Sequence, residues 1–415
     1  MSLKKIIVSS IAAAAVATSA FAGSATLSAN SKGDYLVYPV YYSTTDGWST
    51  NVRVVNTNTT HAVIAKVVVR EYATSKELLD FPIYLSPGDV WEADLINNGS
   101  TVNVVSTDDS SPEVPMNQPL FNNNPLVGTA NGYVEILAIA TKSAFLIDPV
   151  TPWSMYTPLA KSKIKTDYET ATAANHNGWV APIATLFGQQ VVSETTAGAE
   201  KSMTLMATAQ AITLTAAEDA ARNISSGAVF ATDTLAASIY YATVDADIRA
   251  NIAKDSVYAI NYTGEDAETQ ILLTQATKHT NPDADATQVV PYYATTAAEK
   301  AANNSDSKFY FVGRTWDNSE NTYTQPGTIY SGTTTVNSAE QCTTEICYIY
   351  YGDFVDATGP VNTRYAEGWV DIVLGTTATG GATLPQTIPT ITTIMTGTKV
   401  NGVGITNMLP GAYQE

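Results

Sequence analysis

The sequence predicts a mainly β protein, built as an antiparallel β-sandwich with a few short peripheral helices. Three observations predict this class: apolar residues alternate with polar ones over short runs, turn motifs separate those runs, and few stretches have helical periodicity. Alternation of period two is typical of strands that bury one face. Several such strands joined by turns indicate a sandwich or a barrel.

The first clear strands lie in GWSTNVRVVNTNTTHAVIAKVVVREY, residues 47–72. A cluster of Asn and Thr at 56–61 separates two alternating runs, and we expect it to form a turn. In the second run, one face is predicted to carry valines and the other to carry Ile64, Lys66, Val68 and Arg70. The core side chains predicted from the two runs are Val52, Val54, Val63, Val67 and Val69.

The next unit repeats this pattern on either side of a tight turn. Residues 79–85 alternate, and Pro82 favours an edge position because proline cannot donate to a strand ladder. Ser86-Pro87-Gly88-Asp89 predicts the turn, since Pro presets one central residue and Gly accepts positive φ at the other. Phe81, Ile83 and Trp91 complete the predicted core.

Further along, three segments share a Gly-aromatic start followed by apolar residues, and they suggest an internal duplication. They are NGYVEILAIA at 131–140, EGWVDIVLG at 367–375 and the looser NGWVAPIATLFG at 177–188. Ala-rich stretches at 235–253 and 295–303 are the best predicted helices, and we expect them outside the sandwich.

The amino terminus has the features of a secretory signal peptide. Two lysines precede an apolar run from Ile6 to Phe21, which ends in Ala20-Phe21-Ala22. We expect cleavage after Ala22, with a permanent membrane helix as the alternative. No later stretch approaches the roughly 20 apolar residues that a spanning helix needs. The expected location is therefore extracellular or on the outer cell surface.

The domain organisation is predicted from these patterns. A signal peptide at 1–22 precedes an N-terminal β-sandwich at 23–150 and a second β-rich region with short helices at 151–365. Residues 366–415 are expected to form C-terminal strands and a Thr/Gly-rich tail that completes an earlier sandwich.

The charge balance excludes some function classes. The chain has 39 acidic against 21 basic residues and a net charge of −18, which disfavours nucleic acid as a partner. Only 14% of residues are charged, so Thr, Ser, Asn and Gln must form much of the surface.

The two cysteines, Cys342 and Cys347, are predicted to form one structural disulfide that shapes a hairpin. A metal site would need further ligands close by in the sequence, and none is present. A catalytic thiol would be expected to stand alone with a histidine partner.

Candidate chemistry is sparse, and we expect no catalytic residues. His61, His176 and His279 have no metal-ligand spacing, and no G-x-S-x-G motif occurs. Calcium is the one cofactor considered, because paired carboxylates offer hard oxygen ligands. Its candidate ligands are Asp245, Asp247, Asp283 and Asp285, with Asp108-Asp109 as a further acidic pair and solvated loops as the alternative.

Tyrosine is abundant, with 23 residues, several of them in clusters. Ordinary packing on pleated strands is the favoured interpretation, and an aromatic platform for sugars is the alternative. The clusters are Tyr38 with Tyr41 and Tyr42, Tyr240-Tyr241, Tyr292-Tyr293, and Tyr348 with Tyr350 and Tyr351.

Several segments occur in an order that resembles a group of secreted or cell-surface proteins of Gram-negative bacteria. They are the 47–72 segment, LSPGDVWEADL, GYVEI, LFGQQVV, LLTQATKHT, EGWVDI and LPQTIPTIT. The opening W-x-T with L-x-P-G also resembles bacterial immunoglobulin-like sandwich modules. The acidic, Thr-rich composition is similar to that of surface-layer proteins. The resemblance implies location and shape, and it brings no catalytic residues.

Taken together, these features predict an exported structural protein of the bacterial cell surface that self-assembles into a surface layer or array. Its expected partners are further copies of the chain or cell-envelope components. A carbohydrate-binding or adhesive surface protein, with glycans as ligands, is the first alternative. An extracellular hydrolase is the second.

Overall fold

The fold was obtained as a computed structural model, and the predicted class is confirmed: the chain is mostly β, with antiparallel sheets packed as sandwiches. The structure describes residues 25–45, 47–72, 77–111, 115–120, 130–143, 145–146, 157–158, 161–171, 175, 177–180, 182–195, 202–214, 252–261, 268–275, 309–317, 322–324, 334–336, 340–342, 346–350, 368–378, 381–384, 388–400, 403–410 and 412–413. The predicted signal peptide lies outside these residues, as do nearly all residues of the two predicted helices.

Sheets A and B form the first sandwich, and every pairing within them is antiparallel. Sheet A has the spatial order β1 (Ala25–Leu27), β15 (Gln210–Leu214), β3 (Tyr35–Tyr42), β10 (Asn131–Ser143), β5 (His61–Glu71) and β6 (Glu77–Leu85). Sheet B has the order β14 (Ser202–Thr208), β13 (Leu186–Thr195), β4 (Trp48–Asn56), β7 (Val90–Asn97), β8 (Val102–Ser106) and β9 (Met116–Pro119), and β2 (Lys32–Gly33) also pairs with β13.

Sheets E and F form the second sandwich. Sheet E has the order β20 (Thr322–Thr324), β19 (Phe309–Asp317), β24 (Gly368–Ala378), β17 (Ser256–Asn261) and β29 (Ala412–Tyr413), joined by β21 (Thr334–Val336), β22 (Glu340–Cys342) and β25 (Gly381–Leu384). Sheet F has the order β23 (Ile346–Tyr350), β18 (Glu268–Thr274), β27 (Ile391–Val400) and β28 (Val403–Pro410). Two short sheets, C and D, pair β11 (Phe145–Leu146) with β12 (Thr157–Pro158) and β16 (Ala253–Lys254) with β26 (Ile388–Pro389). Helix α1 spans Lys161–Glu169.

The strand pairings show how the chain is divided between the two sandwiches. Strands β13 to β15, at residues 186–214, pair with strands near the amino terminus, so the first sandwich continues past residue 150. The strands after residue 366 pair with strands of the second region. Strands β10 and β24, which contain the Gly-aromatic segments at 131–140 and 367–375, lie in the interior of sheets A and E.

The core between sheets A and B is made of alternating side chains from both sheets. Trp91 on β7 packs its ring 5.8 Å from that of Phe81 on β6, and its Nε1 donates to Ser111 Oγ at 2.8 Å. All eight side chains predicted for the core lie here and are at most 6% exposed: Val52, Val54, Val63, Val67, Val69, Phe81, Ile83 and Trp91.

Both predicted turns connect the two sheets of the first sandwich. The turn at 86–89 joins the two sheets: Gly88 has φ of +71°, Asp89 N donates to Ser86 O at 3.1 Å, and Pro82 lies on edge strand β6. The Asn/Thr cluster also crosses between sheets, because β4 belongs to sheet B and β5 to sheet A. Asn56 Nδ2 donates to the carbonyls of His61 and Ser86 at 2.7 and 2.9 Å, which ties the two crossings together.

Sheet A is buried on both faces. Its second face packs partly on sheet F, through a shared core that includes Tyr35, Leu137, Leu272 and Ile391. Thr274 Oγ1 donates to Pro39 O at 2.7 Å, and Ile346 N donates to Tyr72 O at 3.1 Å, so hydrogen bonds also cross this junction. The second sandwich therefore packs on the first mainly through sheets F and A, and β14 at the edge of sheet B also lies alongside β28 of sheet F.

The remaining part of that face is covered by helix α1, which the sequence analysis did not predict. Ile164 and Tyr168 of α1 are buried with Tyr84 and Trp179, and the rings of Tyr168 and Trp179 meet edge to face at 5.7 Å. Charged groups hold both ends of the helix. Near its start, Lys161 Nζ contacts carboxylates of Asp89, Asp108 and Asp109 and the hydroxyl of Ser110.

At the other end of α1, Asp167 accepts hydrogen bonds from Lys142 and Lys163. Burial by itself would raise the pKa of Asp167, but these hydrogen bonds outweigh it and lower the pKa below 3.8. Burial would lower the pKa of Lys161, but its hydrogen bonds with Asp109 and Asp89 raise it above 10.5. Both ends of the helix are therefore anchored by groups that favour their charged forms.

We expect α1 to loosen outside the window between pH 3.8 and pH 10.5. Because the pKa of Asp167 is lower in the folded state, its ionised form stabilises the fold at pH above the ordinary pKa. This stabilisation is lost as the pH falls through the pKa that Asp167 has in the folded state. Because the pKa of Lys161 is higher in the folded state, its protonated form stabilises the fold below pH 10.5. This stabilisation is lost as the pH rises through the pKa that Lys161 has in the folded state. Hydrogen exchange of the 161–169 amides measured against pH checks this. Asp167→Asn should loosen α1 already at neutral pH and make its exchange less dependent on acid pH; an acid transition as large as in wild type would contradict the assignment.

The cysteine pair bridges two sheets. Cys342 on β22 belongs to sheet E and Cys347 on β23 belongs to sheet F, and both lie in the core between them. Their Cα atoms are 5.7 Å apart, with the sulfur atoms at disulfide distance. The pair therefore closes a short loop, as expected, but this loop connects facing layers of the second sandwich and not the two strands of a hairpin.

Candidate interaction surface

The outer face of sheet B presents side chains away from the core of the first sandwich. On β4 and β7 the buried residues alternate with partly or fully exposed ones. Register pairs the exposed residues across the two strands: Val55 with Val90, Arg53 with Glu92, and Asn51 with Asp94. Successive side chains of a strand point to opposite faces of the sheet. Because Val52, Val54 and Trp91 point into the core, the residues beside them on the strands point outward.

Hydrogen bonds order the polar side chains on this face. Asn51 Nδ2 donates to Glu92 Oε1 at 3.0 Å and to Asp94 Oδ1 at 2.7 Å. Arg53 Nε donates to Asn51 Oδ1 at 2.9 Å, and its Nη2 donates to Glu92 Oε1 at 3.1 Å. A partner would therefore meet side chains that are already partly immobilised.

Apolar side chains lie among these polar groups. Val90 and Ile96 on β7 are 41% and 40% exposed, and Met206 on β14 is 59% exposed. Val191 on β13 connects the centre of the face to Met206, since it pairs with Asn51 on one side and with Met206 on the other. Exposed apolar residues inside an ordered polar array are typical of surfaces that contact other proteins.

An acidic hollow of about 550 Å³ lies beside this face. It is lined by Glu92, Ala93, Asp94, Val105, Ser106, Thr107, Asp108 and Asp109. Four carboxylates here would attract a cationic group. Asp108 and Asp109 also contact the Lys161 ammonium, so a side-chain cation lies at the acidic pair that the sequence suggested for calcium.

The other predicted site residues are placed as follows. The four aspartates proposed for calcium, Asp245, Asp247, Asp283 and Asp285, lie outside the described residues, as do His176 and His279. His61 begins β5, and its Nδ1 lies 2.8 Å from Thr60 Oγ1. Within the described part of the chain, no group of three or more His, Cys, Asp or Glu side chains is arranged to hold a metal ion.

The structure also brings together buried charges that the sequence analysis did not single out. Glu135 on β10 accepts hydrogen bonds from Arg70 Nε and Tyr35 OH, and Arg70 and Glu135 are 0% and 2% exposed. Lys66 on β5 pairs with Asp80 on β6. The signal for this network was the pair of basic residues in a valine-rich strand. This network lies on the face of sheet A that sheet F and helix α1 cover, which indicates a structural role.

The described tyrosines are mainly packing residues. Tyr38 and Tyr41 are fully buried, and burial raises the pKa of both hydroxyls well above 10.0. Tyr42 is half-buried and lies 5.7 Å from the Trp48 ring and 6.0 Å from the Tyr348 ring. The pairs Tyr240-Tyr241 and Tyr292-Tyr293 lie outside the described residues.

Together these features define a class: an antiparallel β protein of two stacked sandwiches with a partly exposed, ordered sheet face. Comparisons with protein-family models, curated proteins and solved structures found no match to the chain. In the described residues, no helix has the length and apolar character needed to span a bilayer.

Proposed function

We propose that this chain is an exported structural protein of the bacterial cell surface whose copies associate laterally into a layer or array. The observation that carries the proposal is the outer face of sheet B, where ordered polar side chains surround exposed Val90, Ile96 and Met206. Such a face suits contact with another protein, because little side-chain freedom remains to be lost on binding.

The junction of the two sandwiches supports a structural role. Sheets A and F share buried apolar side chains and hydrogen bonds, so the sandwiches form an extensive common core. A large apolar junction restricts relative motion of two units. A repeating layer needs building units that keep their shape, and this junction meets that need. The resemblance to immunoglobulin-like surface modules adds support for the cell-surface location.

The net charge of −18 suggests that assembly depends on cations. Like-charged copies repel one another, and divalent ions between the copies would reduce that repulsion. We expect the purified protein to form sheets or large oligomers with calcium at about millimolar levels, the range of extracellular calcium sites. The oligomers should dissociate when a chelator is added.

Sedimentation velocity over a range of protein concentrations, with calcium or with a chelator, tests this proposal. Negative-stain electron microscopy of the same samples distinguishes ordered sheets from aggregates. A protein that stays monomeric at all concentrations, with and without calcium, would rule out self-assembly. Oligomers that survive chelation would keep self-assembly and remove the cation dependence.

A second candidate is a glycan-binding or adhesive role, favoured by the half-buried cluster of Tyr42, Trp48 and Tyr348. Aromatic rings beside polar groups suit the apolar faces of sugars. Binding on a glycan array that is lost in Trp48→Ala would support this role.

A further inference from the structure

We propose that the outer face of sheet B binds the same face of a second copy of this chain, about a two-fold axis that lies above this face and runs along the strands, midway between β4 and β7. The inference rests on the proposed self-association and identifies one contact of it; a layer needs at least one further contact, because a two-fold contact closes after two copies. A two-fold interface uses one patch twice, so each residue on one side of the axis must complement its counterpart on the other.

The register between β4 and β7 fits a two-fold axis at this position. Rotation by half a turn about this line places β4 of one copy over β7 of the other and keeps the position along the strands. Each β4 side chain then faces the partner's copy of its present cross-strand neighbour. Arg53 meets the partner's Glu92, and Asn51 meets the partner's Asp94.

The charges of the two strands complement each other in this arrangement. Strand β4 supplies the donors, a guanidinium and an amide, while β7 supplies two carboxylates. The same groups already form hydrogen bonds within the chain, through Asn51 to Asp94 and Arg53 to Glu92. At 50% and 45% exposure, the side chains of Arg53 and Glu92 keep surface available for a partner.

Apolar residues in the neighbouring rows complete the match. Val55 would face the partner's Val90, which is 41% exposed in the single chain. Ile96, at the other end of β7, is exposed to a similar degree. Sheets that pack face to face keep their strands within about 30° of each other, which this axis allows.

The faces of sheets A and F are already occupied. Sheet A packs on sheet B and on sheet F, and sheet F packs on sheets A and E. Among the residues that the structure describes, the outer face of sheet B around β4 and β7 keeps partly exposed side chains and is left for an external partner, while β14 at the edge of the sheet lies alongside β28. Its mixed charge favours a second copy over a purely cationic ligand.

A charge-swap experiment tests this contact. In Arg53→Glu alone, the introduced carboxylate would face the partner's Glu92. In Glu92→Arg alone, Arg53 would face the guanidinium introduced in the partner. Each single variant should associate with itself about tenfold or more weakly than wild type, because like charges are brought together. In an equal mixture, opposite charges meet at both contacts, and association should return. Sedimentation velocity of each protein and of the mixture measures this.

Lys165→Glu is the matched control for Arg53→Glu, since it makes the same charge change on a 36% exposed side chain of α1 that is not among the contacts anchoring the ends of the helix. It should associate like wild type. Circular dichroism melting curves would show that every variant is folded.

The outcomes separate the two proposals. A wild-type protein that never associates would overturn both proposals. A wild-type protein that associates, with both single variants unaffected, would keep the proposed function and overturn this surface. Two weakened variants that stay weak when mixed would overturn the two-fold arrangement.

Discussion

Replacing Arg70 with methionine is expected to lower the free energy of unfolding by about 3–5 kcal/mol, since it removes one partner of a buried ion pair. Arg70 is 0% exposed, and its Nε donates to the carboxylate of Glu135, which is 2% exposed. Without the guanidinium, Glu135 keeps the hydrogen bond from Tyr35 but loses the buried cation that contacts it.

The matched control removes all three of these polar side chains. Arg70→Met combined with Glu135→Leu and Tyr35→Phe leaves no charge and no hydroxyl from these residues, and it should recover most of the loss. Urea denaturation followed by circular dichroism gives both values. A loss below about 1 kcal/mol in the single variant, as for a surface pair, would show that this ion pair does not behave as a buried one.

Replacing Trp91 with alanine is expected to cost about 3–5 kcal/mol, the usual effect of truncating a large buried aromatic side chain. The indole lies between the sheets of the first sandwich, against Phe81, and its Nε1 donates to Ser111. The substitution would leave a cavity and would also deprive the buried Ser111 hydroxyl of its donor.

Val90→Ala is the control for this prediction. Val90 precedes Trp91 on β7 but lies on the outer face and is 41% exposed, so its truncation should change stability by less than about 1 kcal/mol. Thermal denaturation of the two variants and wild type makes the comparison. Equal effects of the two substitutions would contradict the assignment of inner and outer faces.

The strands of the first sandwich were predictable because its core follows a simple alternation. On β4 and β7, core residues such as Val52, Val54 and Trp91 occupy alternate positions, and the residues between them form the partly exposed face of sheet B. The turn at 86–89 was predictable for a local reason, since Pro87 and Gly88 each limit or permit one backbone conformation. Pro82 marked an edge strand because its missing N–H excludes it from an interior ladder position.

The burial of the second face of sheet A was not predictable from the alternation of residues along a strand. Strand β5 alternates valines with Ile64, Lys66, Val68 and Arg70, and two basic residues on a face give no sign that the face is buried. Their acidic partners, Asp80 and Glu135, come from two different strands. Only strand order and register bring these charges together, and a single-strand pattern contains neither.

The interaction surface was likewise predictable only in part. Sequence alternation indicated that Asn51 and Arg53 point away from the valine core. It did not place Glu92 and Asp94 beside them, because β4 and β7 are separated by two strands of the other sheet.

The sequence by itself determined that this chain forms antiparallel sheets with a valine-rich core, because side-chain direction along a strand depends only on local backbone geometry. The tertiary structure decided which sheet lies inside the stack, which charges are buried in pairs and which face remains partly exposed. Those features depend on contacts between residues far apart in the chain, where burial and register are set by packing of whole sheets.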